Sequence, residues 1–219
     1  MINNELTKRI LSSLILIPIA LFFIIEGSFV FNFFILICFL ITSYEWHKMS
    51  SDKSYYLFGL FFLLLSFYSA YEIRNNLPGN YEYFIIILLI CISTDMGGYI
   101  FGKIFKGPKL TKISPKKTFS GVIGGYLLSI FFLNLTLKSN YFLTKPIDIT
   151  FNIFIFILLI STVSQLGDII ISLFKRLSKI KDTGKIIPGH GGLLDRIDGM
   201  IFAYPFSYLI FKINIFQYF

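Results

Sequence analysis

Long apolar runs separated by short polar segments dominate the sequence from one end to the other. Seven of these runs have lengths near those that an α-helix needs to cross about 30 Å of hydrocarbon. They are residues 10–25, 29–42, 55–71, 83–101, 121–137, 151–174 and 200–216. The pattern predicts an all-α, polytopic membrane helix bundle with about seven transmembrane helices, within a range of roughly six to nine.

The composition supports the same class of protein. Of the 219 residues, 55% are hydrophobic and 15% are charged, and the mean hydropathy is +0.74. These values exclude a soluble globular chain and a disordered chain. We therefore expect an integral, multi-pass membrane protein.

The net charge of +8 raises the question of where the basic residues lie. If the N-terminus is cytoplasmic, sixteen of the 20 Lys and Arg residues fall on the cytoplasmic side. The other four are Arg74, Lys138, Lys145 and Lys212. Cytoplasmic loops retain basic residues, so this distribution predicts a cytoplasmic N-terminus and explains the charge without nucleic acid as a partner. We expect the protein in the cell inner membrane, with its basic loops, and any active site beside them, facing the cytoplasm.

The sixth run carries a stripe of polar residues at membrane depth, where such residues are costly and usually functional. They recur at helical spacing, so they share one face of the predicted helix. The stripe consists of Ser161, Ser164, Gln165, Asp168, Ser172, Lys175, Arg176 and Lys179. Small polar residues can join packed helices, which accounts for the serines but not for the acid. Asp168 is therefore the first candidate for a functional carboxylate.

A second acid, Asp95, lies near the cytoplasmic end of the fourth run and is followed by Lys103 and Lys106. It either belongs to the same site or forms an ion pair with a lysine elsewhere in the bundle. Two pairs of glycines have the G-x-x-x-G spacing: Gly98 with Gly102, and Gly121 with Gly125. This spacing permits close contact between helices.

Two polar segments lie on the predicted cytoplasmic side next to these acids. The segment 106–125 contains closely spaced lysines and two prolines. Such a loop can bind polyphosphate, although a loop that touches acidic lipid headgroups would have the same composition. The segment 172–198 places four glycines and a proline around His190, so its backbone can turn tightly and approach a ligand closely.

Asp195 and Asp198 are spaced as i and i+3, which puts both carboxylates on one face of a helix that begins there. Together with Asp168 they could meet at one membrane edge beside several cations. Mg²⁺ takes oxygen ligands and is often held by one or two carboxylates together with substrate phosphates. Carboxylates for a metal beside cations for phosphates are typical of metal-assisted phosphoryl or nucleotidyl transfer.

These observations define the candidate residues of the site. The catalytic candidates are Asp168, Asp195, Asp198, Lys175 and Arg176, and the three acids are also the candidate ligands of Mg²⁺, alone or with a second cation. The candidates for substrate binding are Asp95, Lys116, Lys117, Ser172, Lys181, Asp182, His190 and Arg196. His190 suits either a proton carrier or a structural residue of the glycine-rich turn.

The spacing of residues across 172–198 resembles the signature of the phosphatidate cytidylyltransferases, also called CDP-diacylglycerol synthases. The shared positions are Ser172, Lys175-Arg176, Lys181-Asp182, Gly184, Pro188-Gly189-His190-Gly191-Gly192, Asp195-Arg196 and Asp198. The SQLGD run around Asp168 and the ISPKKT run at 113–118 are also similar to stretches of that family. The resemblance covers roughly residues 91–198.

The resemblance implies a nucleotidyltransferase that moves CMP from CTP to phosphatidate, giving CDP-diacylglycerol and pyrophosphate. It also implies a requirement for Mg²⁺, a homodimer, and Asp168 and Asp195 as metal-site acids with Asp198 nearby. CTP rests on the resemblance alone, because no residue pattern in this chain reads a base. We expect N-terminal transmembrane helices over 1–82 and a membrane-embedded catalytic domain with cytoplasmic basic loops over 83–219.

The chain departs from the family pattern at two places. Phe119-Ser120 stands where the family usually has Trp-Glu, and Met96-Gly97-Gly98 replaces the usual small residues after Asp95. Two other functions fit the same layout of acids and basic loops. One is a CTP-dependent polyprenol or phytol kinase, and the other is a membrane transporter, which also has intramembrane acids.

Overall fold

The computed structural model describes residues 4–77, 81–111, 113–139, 150–187 and 191–213, with side chains from residue 14 onward. These residues form eight α-helices. They are α1 (Asn4–Glu26), α2 (Ser28–Ser50), α3 (Tyr56–Asn75), α4 (Glu82–Phe105), α5 (Phe119–Lys138), α6 (Phe151–Leu177), the single turn α7 (Leu194–Ile197) and α8 (Met200–Ile213).

Helices α2 to α6 are long and apolar enough to cross a membrane, and Leu14–Glu26 and Met200–Ile213 are shorter apolar helices. Each of the seven predicted runs lies on one of the seven longer helices. The end of the last run, residues 214–216, lies outside the described residues. The predicted all-α, polytopic membrane bundle is confirmed.

One buried apolar core joins the N-terminal helices to the rest of the bundle. It includes Ile24 of α1, Phe31 of α2 and Ile73 of α3, which pack with Phe156 of α6 and Phe211 of α8. The core therefore crosses the predicted boundary at residue 82. The division into two parts stays a prediction.

The connections between helices separate into two ends of the bundle. At one end, which we call the loop end, the α2–α3, α4–α5 and α6–α8 connections meet; there Tyr55 Oη and Ser178 Oγ are 3.2 Å apart. At the opposite end, Arg74 donates hydrogen bonds to the carbonyl oxygens of Ile24 at 2.9 Å and Ile25 at 3.1 Å. The helices thus alternate in direction, and the basic connections predicted for the cytoplasmic side share the loop end.

Helices α4 and α5 pack through glycines that bring their backbones together. A Cβ on Gly121 would lie 2.7 Å from the carbonyl oxygen of Gly98, and a Cβ on Gly97 would overlap the carbonyl group of Gly124. Gly98 and Gly121, one from each predicted G-x-x-x-G pair, therefore face each other across the contact. The predicted close helix contact is confirmed.

Gly97→Ala is expected to destabilise the bundle by about 1–3 kcal/mol, because the added methyl group forces the two backbones apart. Gly98→Ala is a matched control one residue along, since the nearest atom to a Cβ there is 3.8 Å away. Thermal unfolding of both variants in detergent measures the difference. Equal unfolding midpoints for the two variants would contradict the close packing at Gly97.

Candidate active site

The carboxylate of Asp195 lies in the middle of the 172–198 segment at the loop end. Its Oδ1 accepts a hydrogen bond from Lys175 Nζ at 2.8 Å, in an ion pair whose side chains are 11% (Lys175) and 6% (Asp195) exposed. Its Oδ2 accepts the backbone N–H groups of Thr183 at 2.8 Å and Gly192 at 3.0 Å, and the Thr183 hydroxyl at 3.1 Å. Asp195 thus ties Thr183 and Gly192 to the last turn of α6.

The electrostatics of Asp195 agree with this anchoring role. Burial raises the pKa of the carboxyl group, but the hydrogen bond and charge of Lys175, with the N–H groups of Thr183 and Gly192, outweigh burial. The pKa of Asp195 is therefore held below its usual value. The carboxylate is charged at neutral pH, with donors on both oxygens.

A second buried carboxylate in this segment, Glu45, was not among the sequence candidates. It comes from α2, and only 1% of the residue is exposed. Its Oε1 accepts the backbone N–H of Leu193 at 2.9 Å, and its Oε2 accepts that of Leu194 at 2.8 Å and lies 3.0 Å from the Thr183 hydroxyl, which it shares with Asp195. The predicted second run ends at residue 42, which places Glu45 in a loop, whereas α2 continues to Ser50 and buries it. In the sequence, Glu45 can be recognised as an acid next to Trp46, about one turn beyond the end of an apolar run.

Close approach of Glu45 explains two glycines of the segment. A Cβ on Gly184 would lie 2.7 Å from Glu45 Oε1, and a Cβ on Gly192 would lie 2.5 Å from Oε2. A side chain at either position would push the carboxylate out of its place. The predicted close approach at these glycines is present, but the group that approaches is a carboxylate of the protein itself.

A second charged centre joins the α4–α5 connection to α6. Lys117 Nζ lies 2.6 Å from Asp168 Oδ2 and donates to the backbone oxygen of Gln165 at 3.3 Å. The hydroxyl of Ser172 donates to Asp168 Oδ1 at 3.3 Å. The paired side chains are 23% (Lys117) and 26% (Asp168) exposed, so this centre is accessible from the loop end. The structure therefore brings together three of the predicted residues.

Asp198 lies between α7 and α8 and is 7% exposed, with its Oδ1 accepting the N–H of Gly199 at 2.9 Å. Burial, followed by the negative charges of Asp168 and Asp95, raises the pKa of Asp198 well above its usual value. These three acids are close enough to repel one another. Across the described ranges, however, no three Asp, Glu, His or Cys side chains form a group that could hold a metal ion.

The structure keeps the predicted i, i+3 relation of Asp195 and Asp198 in the backbone. Asp198 is the C-cap residue of the single-turn helix α7, Leu194–Ile197, and has right-handed helical dihedral angles (φ −56°, ψ −39°). The charge of Lys175 lowers the pKa of both carboxyl groups. The two carboxylates accept different hydrogen bonds: Asp195 from Lys175 and the N–H groups of Thr183 and Gly192, and Asp198 from the N–H of Gly199. A shared group of Asp168, Asp195 and Asp198 is therefore not assembled.

The chain matches the model of the Cytidylyltransferase family over residues 7–75 and 52–214. The protein belongs to the cytidylyltransferase family. It is 35% identical over 226 residues to the phosphatidate cytidylyltransferase of Rickettsia felis, covering 95% of this chain and 93% of that relative. It is 36% identical over 225 residues to the enzyme of the same name from Rickettsia typhi, covering 98% and 94%. The enzyme of that name from Staphylococcus aureus strain COL is 37% identical over 158 residues, covering 70% of this chain and 57% of the relative. The resemblance predicted from the 172–198 segment is confirmed.

The polar stripe on α6 of this family member is buried only in part. Ser161 and Ser164 are fully buried, and Ser172 and Lys175 are nearly so, at 8% and 9% exposed. Arg176, in contrast, is exposed and donates to the backbone oxygen of Ile180 at 3.2 Å. The stripe prediction is wrong for Arg176 and Lys179, because α6 ends at Leu177 and Arg176 faces away from the bundle.

Most of the other candidates for substrate binding that the structure describes lie on open surface at the loop end. Four of them are exposed: Lys116, Lys181, Asp182 and Arg196. Asp95 lies on α4 and is exposed on the surface of the helix bundle. His190 lies outside the described residues. Roles in substrate binding for this set stay predictions.

Ser120, at the place where the family usually has Glu, takes part in holding the basic connection together. Its hydroxyl donates to the backbone oxygen of Lys106 and lies 3.0 Å from Thr118 Oγ1. Thr118 caps α5 by accepting the N–H of Gly121 at 3.2 Å. The neighbouring Phe119 is 51% exposed. The departure from the family pattern thus leaves a hydroxyl that joins the end of α4 to the start of α5.

Proposed function

We propose that this protein transfers CMP from CTP to phosphatidate, forming CDP-diacylglycerol and releasing pyrophosphate, at the cytoplasmic face of the cell inner membrane. The observation that carries the proposal is the pairing of two acids with two lysines at one end of a membrane bundle. Both acids, Asp168 and Asp195, lie in the part of the chain that matches the family. A lipid headgroup can enter this end while its acyl chains stay in the bilayer. The excess of basic residues at the same end supports a cytoplasmic orientation.

The chemistry requires alignment and charge neutralisation more than proton transfer. A phosphate monoester is already an anionic nucleophile at neutral pH, so no base has to remove a proton. An oxygen of phosphatidate bonds to the α-phosphorus of CTP, and the bond from that phosphorus to the pyrophosphate oxygen breaks, with the electron pair leaving on pyrophosphate. Lys117 and Lys175, which the acids hold in place, supply positive charge for the phosphates. No covalent intermediate with the protein is needed.

Two of the three predicted acids, rather than all three, are suited to bind Mg²⁺ at this site. Asp168 and Asp198 carry the oxygen donors that hard cations prefer, and Mg²⁺ commonly takes one or two carboxylates with substrate phosphates. Repulsion from Asp168 contributes to the raised pKa of Asp198, and these two acids would hold the cation, whose charge would offset that repulsion. Asp195 already has donors on both oxygens, so we assign it to holding the loop. When bound, Mg²⁺ would neutralise developing charge on the phosphates.

The test uses purified protein in detergent with phosphatidate and either α-labelled or γ-labelled CTP. We expect label from the α-phosphate in the lipid, release of pyrophosphate, and no transfer when Mg²⁺ is chelated. Lipid labelled from the γ-phosphate when a polyprenol is supplied would contradict the proposal and indicate a kinase. Absence of turnover with either substrate would also contradict the proposal and would favour the alternative of a membrane transporter.

We further propose that the protein acts as a homodimer, as the family resemblance implies. Chemical crosslinking in native membranes is expected to give a band at twice the mass of the chain. The same band should be absent after solubilisation in a denaturing detergent before crosslinking. A single-chain band at every crosslinker concentration would contradict the dimer.

A further inference from the structure

Glu45 brings a carboxylate from the N-terminal part of the chain into the segment that carries the site. Its two oxygens each accept one backbone N–H, from Leu193 at 2.9 Å and from Leu194 at 2.8 Å. The first residues of a helix have N–H groups without partners inside the helix, and Leu194 is the first residue of α7. A carboxylate has only acceptor oxygens, so it satisfies both donors at once.

Thr183 links Glu45 to Asp195. Its hydroxyl lies 3.0 Å from Glu45 Oε2 and 3.1 Å from Asp195 Oδ2, and its backbone N–H donates to Asp195 at 2.8 Å. The hydroxyl has one proton and therefore donates to one carboxylate at a time. Thr183 is thus held from two sides, by Glu45 on one side and by Asp195 with its partner Lys175 on the other. Glu45 also holds Leu193 and Leu194, and Asp195 also holds Gly192.

Burial of the Glu45 carboxylate costs free energy, and the packing of α2 does not by itself require a charged group at this position. Within the described residues, the ion pairs are Lys117 with Asp168 and Lys175 with Asp195, and neither includes Glu45. An apolar side chain would pack α2 against this segment without the cost of removing a carboxylate from water. The carboxylate adds hydrogen-bond acceptors that hold Thr183, Leu193 and Leu194 in fixed positions.

We propose that Glu45 is a positioning residue for the transfer reaction. It fixes Thr183, Leu193 and Leu194 and, through Thr183, keeps Asp195 and Lys175 in the geometry that receives substrate phosphates. The inference rests on the function proposed for the loop end. It makes α2, which belongs to the predicted N-terminal part of the chain, a component of the active site.

Glu45→Gln is the sharpest variant, because it keeps the shape of the side chain and removes its second acceptor. The amide must turn its NH₂ group toward Leu193 N–H or Leu194 N–H, so one donor loses its partner. We expect kcat for CMP transfer to fall at least about tenfold, since small misplacements of a binding group have large effects on rate. Membrane insertion should be unchanged.

Amide hydrogen exchange gives a second readout that does not depend on turnover. In Glu45→Gln the amides of Leu193 and Leu194 are expected to exchange at least about tenfold faster, while those of α6 keep their protection. Arg74→Gln is the control for a general loss of stability. It removes buried hydrogen bonds to Ile24 and Ile25 at the opposite end of the bundle. Its unfolding temperature should fall, with kcat and the exchange of residues 193 and 194 unchanged.

The outcomes separate this inference from the proposed function. Wild-type kcat in Glu45→Gln, unchanged exchange at Leu193 and Leu194, or an equal loss of kcat in Arg74→Gln would each overturn the positioning role. A wild-type protein that transfers no CMP would refute the proposed function and with it the positioning role of Glu45 in the transfer reaction. Faster amide exchange at Leu193 and Leu194 in Glu45→Gln would then still support the hydrogen bonds from these residues to Glu45.

Discussion

Asp168→Asn is expected to abolish CMP transfer while the protein still inserts into the membrane. The substitution keeps the size of the side chain and removes the charge that pairs with Lys117 at 2.6 Å. It also removes one of the two carboxylates that we assign to Mg²⁺. Loss of an electrostatic group at a reacting phosphate commonly costs about 10²–10³ in rate, and loss of a metal ligand adds to this. Transfer of label from α-labelled CTP into lipid measures the effect.

The control for this variant is Asp52→Asn. Asp52 is exposed in the α2–α3 connection, at the same end of the bundle as Asp168, and belongs to neither charged centre. It is expected to keep wild-type turnover. A fully active Asp168→Asn protein would refute the assignment of Asp168, whereas equal losses in both variants would point to a general effect of net charge.

Lys175→Met is expected to destabilise the protein by about 3–5 kcal/mol, the typical cost of removing one partner from a buried ion pair. The Lys175 and Asp195 side chains are 11% and 6% exposed, so water does not replace the lost ammonium group. The hydrogen bond and charge of Lys175 also help to hold the pKa of Asp195 low against the effect of burial. The free energy of unfolding in detergent measures the loss, and CMP transfer should fall with it.

The double variant Lys175→Met with Asp195→Leu provides the comparison for this prediction. It removes both charges, so it should be less destabilised than the sum of the two single variants. Additive losses would contradict a direct interaction between the two side chains. Unchanged stability in Lys175→Met would contradict the buried pair itself.

The sequence was sufficient to predict the helices but not all of their ends. Hydropathy places the second run at 29–42, whereas α2 continues to Ser50. The additional turns are polar by composition, yet Glu45, Trp46 and Met49 face inward and are buried. A hydropathy pattern records the part of a helix that lies in hydrocarbon, so it misses turns that protein rather than lipid surrounds.

The candidate site was predictable in its residue types and less so in its pairings. Asp168 and Lys117 were both candidates, but six lysines lie between Lys103 and Lys117, and only the packing of α5 against α6 selects Lys117 as the partner. Likewise, the spacing of Asp195 and Asp198 indicates neighbouring carboxylates but not their hydrogen-bond partners, which are Lys175 for Asp195 and the N–H of Gly199 for Asp198. Contacts between distant segments determine these pairs, and local periodicity carries no information about them.

The most direct test of CMP transfer to phosphatidate is the stoichiometry of the two products in liposomes that contain phosphatidate, protein, CTP and Mg²⁺. Lipid-bound CMP and free pyrophosphate are measured in the same samples for the wild type and for Asp168→Asn. The wild type is expected to form the two products in equal amounts, and Asp168→Asn to form neither. Pyrophosphate released without lipid-bound CMP, or equal product formation by Asp168→Asn, would contradict the account.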